Sequence, residues 1–193
     1  MLGVGQHFLN MIRILTIILS LFGTLNSIGQ TNPSVSFDTS SVWFSGKIDS
    51  TTLKIPYPLK PVGWTNDFEH ILTDSQIVIL DSIIQNLERE TTIEIAIVTI
   101  DSSYISTESF DSLITGLGRL WGVGKREKKN GIIIGMSSGL RKIRISNGYG
   151  IEEILSDVET QNIIDNNILP EFRQANYFEG LKQCLFAIIK KVQ

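Results

Sequence analysis

A chain of 193 residues, 42 % of them hydrophobic, carries enough apolar material for one globular domain of ordinary size. Its net charge of −3 and pI near 5.4 leave no broad basic face, so nucleic acid is not expected as a partner. A single cysteine, Cys184, excludes an internal disulfide, a cysteine-based zinc site and a CxxC redox pair; set in an apolar helix, it reads as a small buried hydrophobe.

The N-terminal stretch reads as a signal peptide over residues 1–29. Ile14 to Phe22 is an apolar run too short to span a bilayer, Arg13 supplies the preceding positive charge, and Ser27 and Gly29 are small residues suited to cleavage before Gln30. Met11 makes a tidier beginning for this segment than Met1. No cysteine follows the run, so lipid attachment is not expected there. The reading is an exported chain, periplasmic or secreted, with no permanent membrane anchor after cleavage. Residues 30–61 form an extended lead-in rich in Ser and Thr and interrupted by Pro33, Pro56, Pro58 and Pro61. Within it, Val42-Trp43-Phe44 and Leu53-Lys54-Ile55 are candidates for added strands.

The domain proper spans 62–193. Trp64 to Asp67 leads into a helix over 74–88, because Thr73 and Gln76 make a capping box and Ile77, Leu80, Ile84 and Leu87 share one face. Thr92 to Ile100 is β-branched and nearly continuous, a central strand ending at Asp101. Phe110, Leu113, Ile114, Leu117, Leu120 and Trp121 mark a second amphipathic helix, closed by Gly122-Val123-Gly124. The short basic run Lys125 to Lys129, diluted by Glu127, reads as a solvated loop. Gly131 to Met136 is a buried strand, Ser137 to Gly139 a polar break, and Arg141 to Ile145 alternates charged with apolar; together they predict an antiparallel hairpin. Gly148-Tyr149-Gly150 ends it. A second capping box, Ser156 and Glu159, opens a helix with Val158, Ile163, Ile164 and Ile168 on one face, and Pro170 ends that helix. Asn176 caps the last helix, whose stripe is Phe178, Leu181, Leu185, Ile188, Ile189 and Val192. The order helix, strand, helix, strand, strand, helix, helix gives an α/β fold, a three-layer α/β/α sandwich around a small mixed sheet. Its first two strands are parallel through a right-handed crossover.

Several of these residues together resemble the TPM domain. They are Asn66-Asp67, the strand ending at Asp101, Leu120-Trp121-Gly122-Val123-Gly124, Asn130-Gly131, and Arg144 with Gly148 through Glu152. Asp157, Pro170 to Arg173 and Asn176-Tyr177 extend the likeness, which covers about residues 62–193. The resemblance implies an α/β/α sandwich of the kind shared by bacterial envelope proteins and a chloroplast lumen protein involved in photosystem repair. It also implies divalent-cation binding, as in some members, and a phosphatase activity of the kind proposed for plant members.

Open α/β sheets bind ligands beyond the carboxyl ends of their parallel strands. That edge should gather Asp67 and Asp101 with Asn66, Ser102, Ser137 and Ser138. Their hard oxygens suit Ca²⁺ or Mg²⁺. The competing reading makes Asp67 and Asp101 ordinary turn residues. The opposite edge should gather Gly124, Asn130, Gly148 to Gly150 and Glu152, where Glu152, Glu153 and Asp157 are candidates for a second acidic site; as an alternative, Glu152 is only a helix-start carboxylate. Arg144 either pairs with one of these acids or meets an anionic ligand, which makes Asn130, Arg144 and Tyr149 further binding candidates. No DxDxT, Cys-x5-Arg or HExxH signature is present, and His70 stands alone near Asp67. No catalytic residue is assigned; Asp101 is the only nominee for an acid or base. The expected function is binding of Ca²⁺ or Mg²⁺ through acidic loops by an exported monomer, in an envelope maintenance or interaction role with an envelope protein as partner. The alternatives are a metal-assisted phosphomonoesterase and a protein-binding module using Trp64, Tyr149 and Tyr177.

Overall fold

Alternation along the β-branched run after Thr92 decides the layering. In the computed structural model, which describes residues 59–193, Ile95 and Ile97 point to one face of a strand, and Ala96 and Val98 to the other. The leader, its cleavage point and the two candidate lead-in strands lie outside the described residues. Four strands make one mixed sheet in the order β1-β2-β3-β4. They are β1 (Thr65–Asp67), β2 (Glu94–Thr99), β3 (Gly131–Ser137) and β4 (Lys142–Asn147). Strand β2 is parallel to both β1 and β3, and β3 pairs antiparallel with β4. The parallel pair and the hairpin are as expected. Strand β1 is not: residues read as a lead-in to the first helix form an edge strand, with Asp67 opposite Thr99.

The helices are α1 (Asp74–Thr91), α2 (Thr107–Leu120), α3 (Tyr149–Glu152), α4 (Asp157–Ile163), α5 (Leu169–Phe172) and α6 (Tyr177–Val192). Leu80, Ile84 and Leu87 of α1 and Leu181, Leu185 and Ile188 of α6 pack on Ile95, Ile97, Ile132 and Ile134. Among the described residues, helix α2 is the one helix on the other face, with Phe110, Ile114 and Leu117 on Ala96, Val98 and Ile133. This is an α/β/α sandwich. Cys184 is fully buried in the first core; desolvation pushes its thiol up to about 12, so it stays protonated and packs as a hydrophobe.

Both capping boxes form, at Thr73–Gln76 and Ser156–Glu159. Four local expectations change. Leu120 and Val158, assigned to buried stripes, face solvent at 53 % and 70 % exposure. Pro170 does not end a helix but lies at the start of α5, because Ile164–Ile168 widen into a π turn before it. A proline lacks its N–H and clashes with the carbonyl four residues back, and the widened turn absorbs both defects. Asn176 precedes α6 without a side-chain cap; its Nδ2 donates to Glu171 instead.

Candidate functional site

At the end of the sheet where β3 begins and β4 finishes, three backbone segments come within contact. A Cβ on Gly131 would lie 2.0 Å from the Val123 carbonyl oxygen, and one on Gly148 2.2 Å from that of Lys129. The glycines therefore serve close backbone approach, pressing the loop 122–129 onto the hairpin. Side chains lock that loop. The Glu94 carboxylate accepts from the Gly124 N–H at 2.7 Å and pairs with the Lys125 ammonium, which also reaches Glu88 at 3.0 Å. Those two acids, Glu94 first, hold Lys125 above its ordinary pKa. Asn130 accepts from Lys125 N–H at 2.9 Å and donates to the Thr92 carbonyl at 2.8 Å, so it is a buried pin.

Between this loop, α2 and the hairpin lies an open cleft of about 620 Å³. Among the described residues its walls carry Arg119, Lys125, Arg126, Lys129 and Arg144, against one carboxylate, Glu152. Gly122, Ser146 and the exposed Tyr149 complete the mouth, with Ile133 beneath. Lys125 is committed to Glu94 and Glu88. Arg119, Arg126, Lys129 and Arg144 have no carboxylate partner among the described residues. The Lys129 ammonium instead sits 5.6 Å from the Tyr149 ring centroid.

The C-terminal edge of the parallel strands is built differently. Asp67 accepts from Leu72 N–H at 2.8 Å, from Ile71 N–H at 3.3 Å and from the Thr99 hydroxyl. Asp101 accepts from Ser103 N–H at 2.8 Å; the Ser103 hydroxyl, then that N–H, hold its carboxyl below the ordinary range. Glu69 gathers both Ser138 donors and the Gly139 N–H. The Asn66 side chain is fully buried, accepting from Val62 N–H at 2.7 Å and donating to the carbonyls of Gly63 and Ile97. Among the described residues no three His, Cys, Asp or Glu side chains converge in a way that would hold a metal ion. The carboxylates of the described residues alone therefore form no cage at this edge; a divalent ion bound there would draw on hydroxyl, backbone and water oxygens as well.

The family described as the TPM domain, under the name TPM phosphatase, matches residues 65–191. The chain belongs to the TPM domain family. No functionally curated protein matches it. Among solved structures, it is similar to the N-terminal domain of a protein from P. gingivalis, at 28 % identity and TM-score 0.60, covering 66 % of this chain and 80 % of that one. The N-terminal domain of the cg2496 protein from Corynebacterium glutamicum is 12 % identical with TM-score 0.53, covering 73 % of this chain and 87 % of that one. The BA42 protein from the psychrophilic Bizionia argentinensis is 21 % identical with TM-score 0.53, covering 65 % and 86 %. The last two likenesses speak to the fold alone.

In this TPM domain the candidate residues divide between the two ends. Asn66, Asp67, Asp101 and Ser102 lie at the C-terminal edge of the parallel strands. Arg144, Tyr149 and Glu152 line the cleft, with Asn130 pinning the loop behind it. Asp157 is exposed at the start of α4 and does not line the cleft. Arg144 forms no ion pair among the described residues, so the expected partnership with an acid is absent there. The residues not singled out from sequence are Arg119, Arg126 and Lys129 on the cleft wall and Glu94 behind it. For Arg126 and Lys129 the one signal was the basic run itself; Arg119 and Glu94 carried none.

Proposed function

We propose that this TPM domain binds a phosphate-bearing anion in the cleft. The supporting observation is a charge imbalance: among the described residues, Arg119, Arg126, Lys129 and Arg144 face one cleft with Glu152 as its one acid, and none has a carboxylate partner. Like charges gathered without counterions repel, and an anion relieves that cost. A phosphate monoester carries about −1.5 to −2 near neutral pH and offers three acceptor oxygens, which suits several donors better than a carboxylate does. The family name adds weight to phosphate. The proposal keeps the exported location and the envelope role expected from the leader and the family. Calorimetric titration with ribose 5-phosphate tests it. Arg144→Ala is expected to weaken binding about tenfold, as loss of a partly exposed charged hydrogen bond should, while Arg141→Ala, on the turn outside the cleft, is expected to leave it unchanged. Equal affinity in all three proteins, or none in the wild type, would overturn the reading. If the domain also hydrolyses esters, Glu152→Gln is expected to abolish turnover and retain binding.

A divalent cation at the C-terminal edge is the second reading. It is favoured by the oxygens of Asp67, Thr99, Asp101 and Ser138 at one sheet edge, and it carries the metal-assisted phosphatase alternative with it. Addition of CaCl₂ or MgCl₂ is expected to move amide resonances at residues 66–67 and 101–103 saturably. Silence at millimolar metal would remove this reading and leave the cleft proposal standing.

A further inference from the structure

The cleft is far larger than a phosphate group. At about 620 Å³ it falls within the range of roughly 300–1,000 Å³ that holds an organic ligand, so its remaining walls carry information about what the phosphate is attached to. Those walls are not uniformly polar. Tyr149 is 69 % exposed at the mouth, and Ile133 and Val123 lie below. An aromatic ring left so open contributes little to the core, since the buried member of that helix is Ile151.

The Tyr149 backbone is nevertheless held firmly. Gly148 N–H donates to the Gly131 carbonyl at 2.8 Å and Gly150 N–H to the Lys129 carbonyl at 3.0 Å, fixing the chain on either side. A Cβ on Gly150 would lie 2.0 Å from the Lys128 carbonyl oxygen, so the two glycines let the hairpin end settle directly onto the basic loop. The consequence is a juxtaposition of ring and charge, with Lys129 Nζ 5.6 Å from the ring centroid and Arg144 on the same cleft. A phosphate meeting those cations brings the group it esterifies up to the ring.

We infer that the cleft takes a phosphate monoester carried on an aromatic or heteroaromatic ring, with Tyr149 as the stacking platform and Lys129 and Arg144 meeting the phosphate. This rests on the phosphate reading above and narrows it. Two sources share the chemistry, a nucleoside monophosphate and an aryl phosphate, and Ser146 and Thr115 in the cleft lining offer hydroxyls to a sugar.

Four probes test it by calorimetry on the full chain: inorganic phosphate, ribose 5-phosphate, phenyl phosphate and adenosine 5′-monophosphate. The ring-bearing probes are expected to bind about tenfold or more tighter than ribose 5-phosphate, the scale of one base stacked on an aromatic side chain. Tyr149→Ala is expected to bring them down to the level of ribose 5-phosphate, and Tyr149→Phe to keep the advantage. Preference for the nucleotide over phenyl phosphate assigns the nucleoside source, and the reverse assigns the aryl one. Equal binding of the three organic phosphates, or equal weakening of all of them in Tyr149→Ala, would overturn the inference and leave the phosphate reading intact. Silence with all four probes would overturn both.

Discussion

Gly131→Ala is expected to destabilise the domain by about 3 kcal/mol, at the upper end of what overpacking a tight interior costs. The new methyl would meet the Val123 carbonyl oxygen at 2.0 Å and its carbon at 2.5 Å, both backbone atoms with no rotamer to turn. Neither side can retreat. Strand β3 is hydrogen-bonded to β2 on one side and β4 on the other. The opposing loop is held by Val123 N–H to the Gly118 carbonyl and Gly124 N–H to Glu94. Gly122→Ala is the matched control: nothing lies within 4 Å of its Cβ, and only its φ of +66° opposes the change. That should cost about 1 kcal/mol. Urea unfolding of the two variants checks the difference; equal midpoints would show that the contact is softer than its geometry implies. The same substitution pushes the basic loop off the hairpin, so Gly131→Ala is also expected to lose phosphate binding at temperatures where it still folds.

Phe110→Ala is expected to cost about 3–5 kcal/mol, the usual range for deleting a buried phenyl ring. The estimate belongs near the top of that range because, among the described residues, α2 is the one helix on its face of the sheet. Phe110 is fully buried, in a cluster with Leu113, Ile114 and Leu117 against Val98, Ile100 and Ile133. Below it the sheet is already in close contact: a Cβ on Gly135 would lie 2.2 Å from Ile114 Cδ1, so the helix sits as near the strand as its side chains permit. A cavity there has little room to collapse. Thermal unfolding of the variant, compared with a conservative Phe110→Leu, checks the prediction; a loss below about 1 kcal/mol for Phe110→Ala would mean the helix can shift to refill the space.

How far the sequence could be read depended on where each signal lay. Strands β2 and β3 were legible because Ile93 to Ile100 and Ile132 to Ile134 are runs that only a sheet covered on both faces accommodates. Strand β1 was not, because Thr65, Asn66 and Asp67 carry no apolar pattern; the Asn66 amide, reaching Ile97 across the strand pair, holds it in place. The two groups of candidate residues fell at opposite ends of the sheet because the parallel crossover and the hairpin fix those ends. The cleft's cations were harder to find. The run from Lys125 to Lys129 looks like a solvated loop, and only the fold shows Glu94 withdrawing Lys125 from the set while the glycines of the hairpin end draw Lys129 towards Tyr149. Arg144 was expected to find an acid by proximity, yet Glu152, the carboxylate sharing its cleft, forms no ion pair among the described residues.

The margins of the sheet carry a last consequence. At one margin β1 offers only three residues, and at the other β4 presents Lys142 and Arg144 on alternate positions. A foreign strand seeking to extend the sheet finds too few partners on the first side and repulsion on the second. Among the described residues, the hydrogen-bonding rim of the sheet is therefore poorly suited to the addition of a further strand.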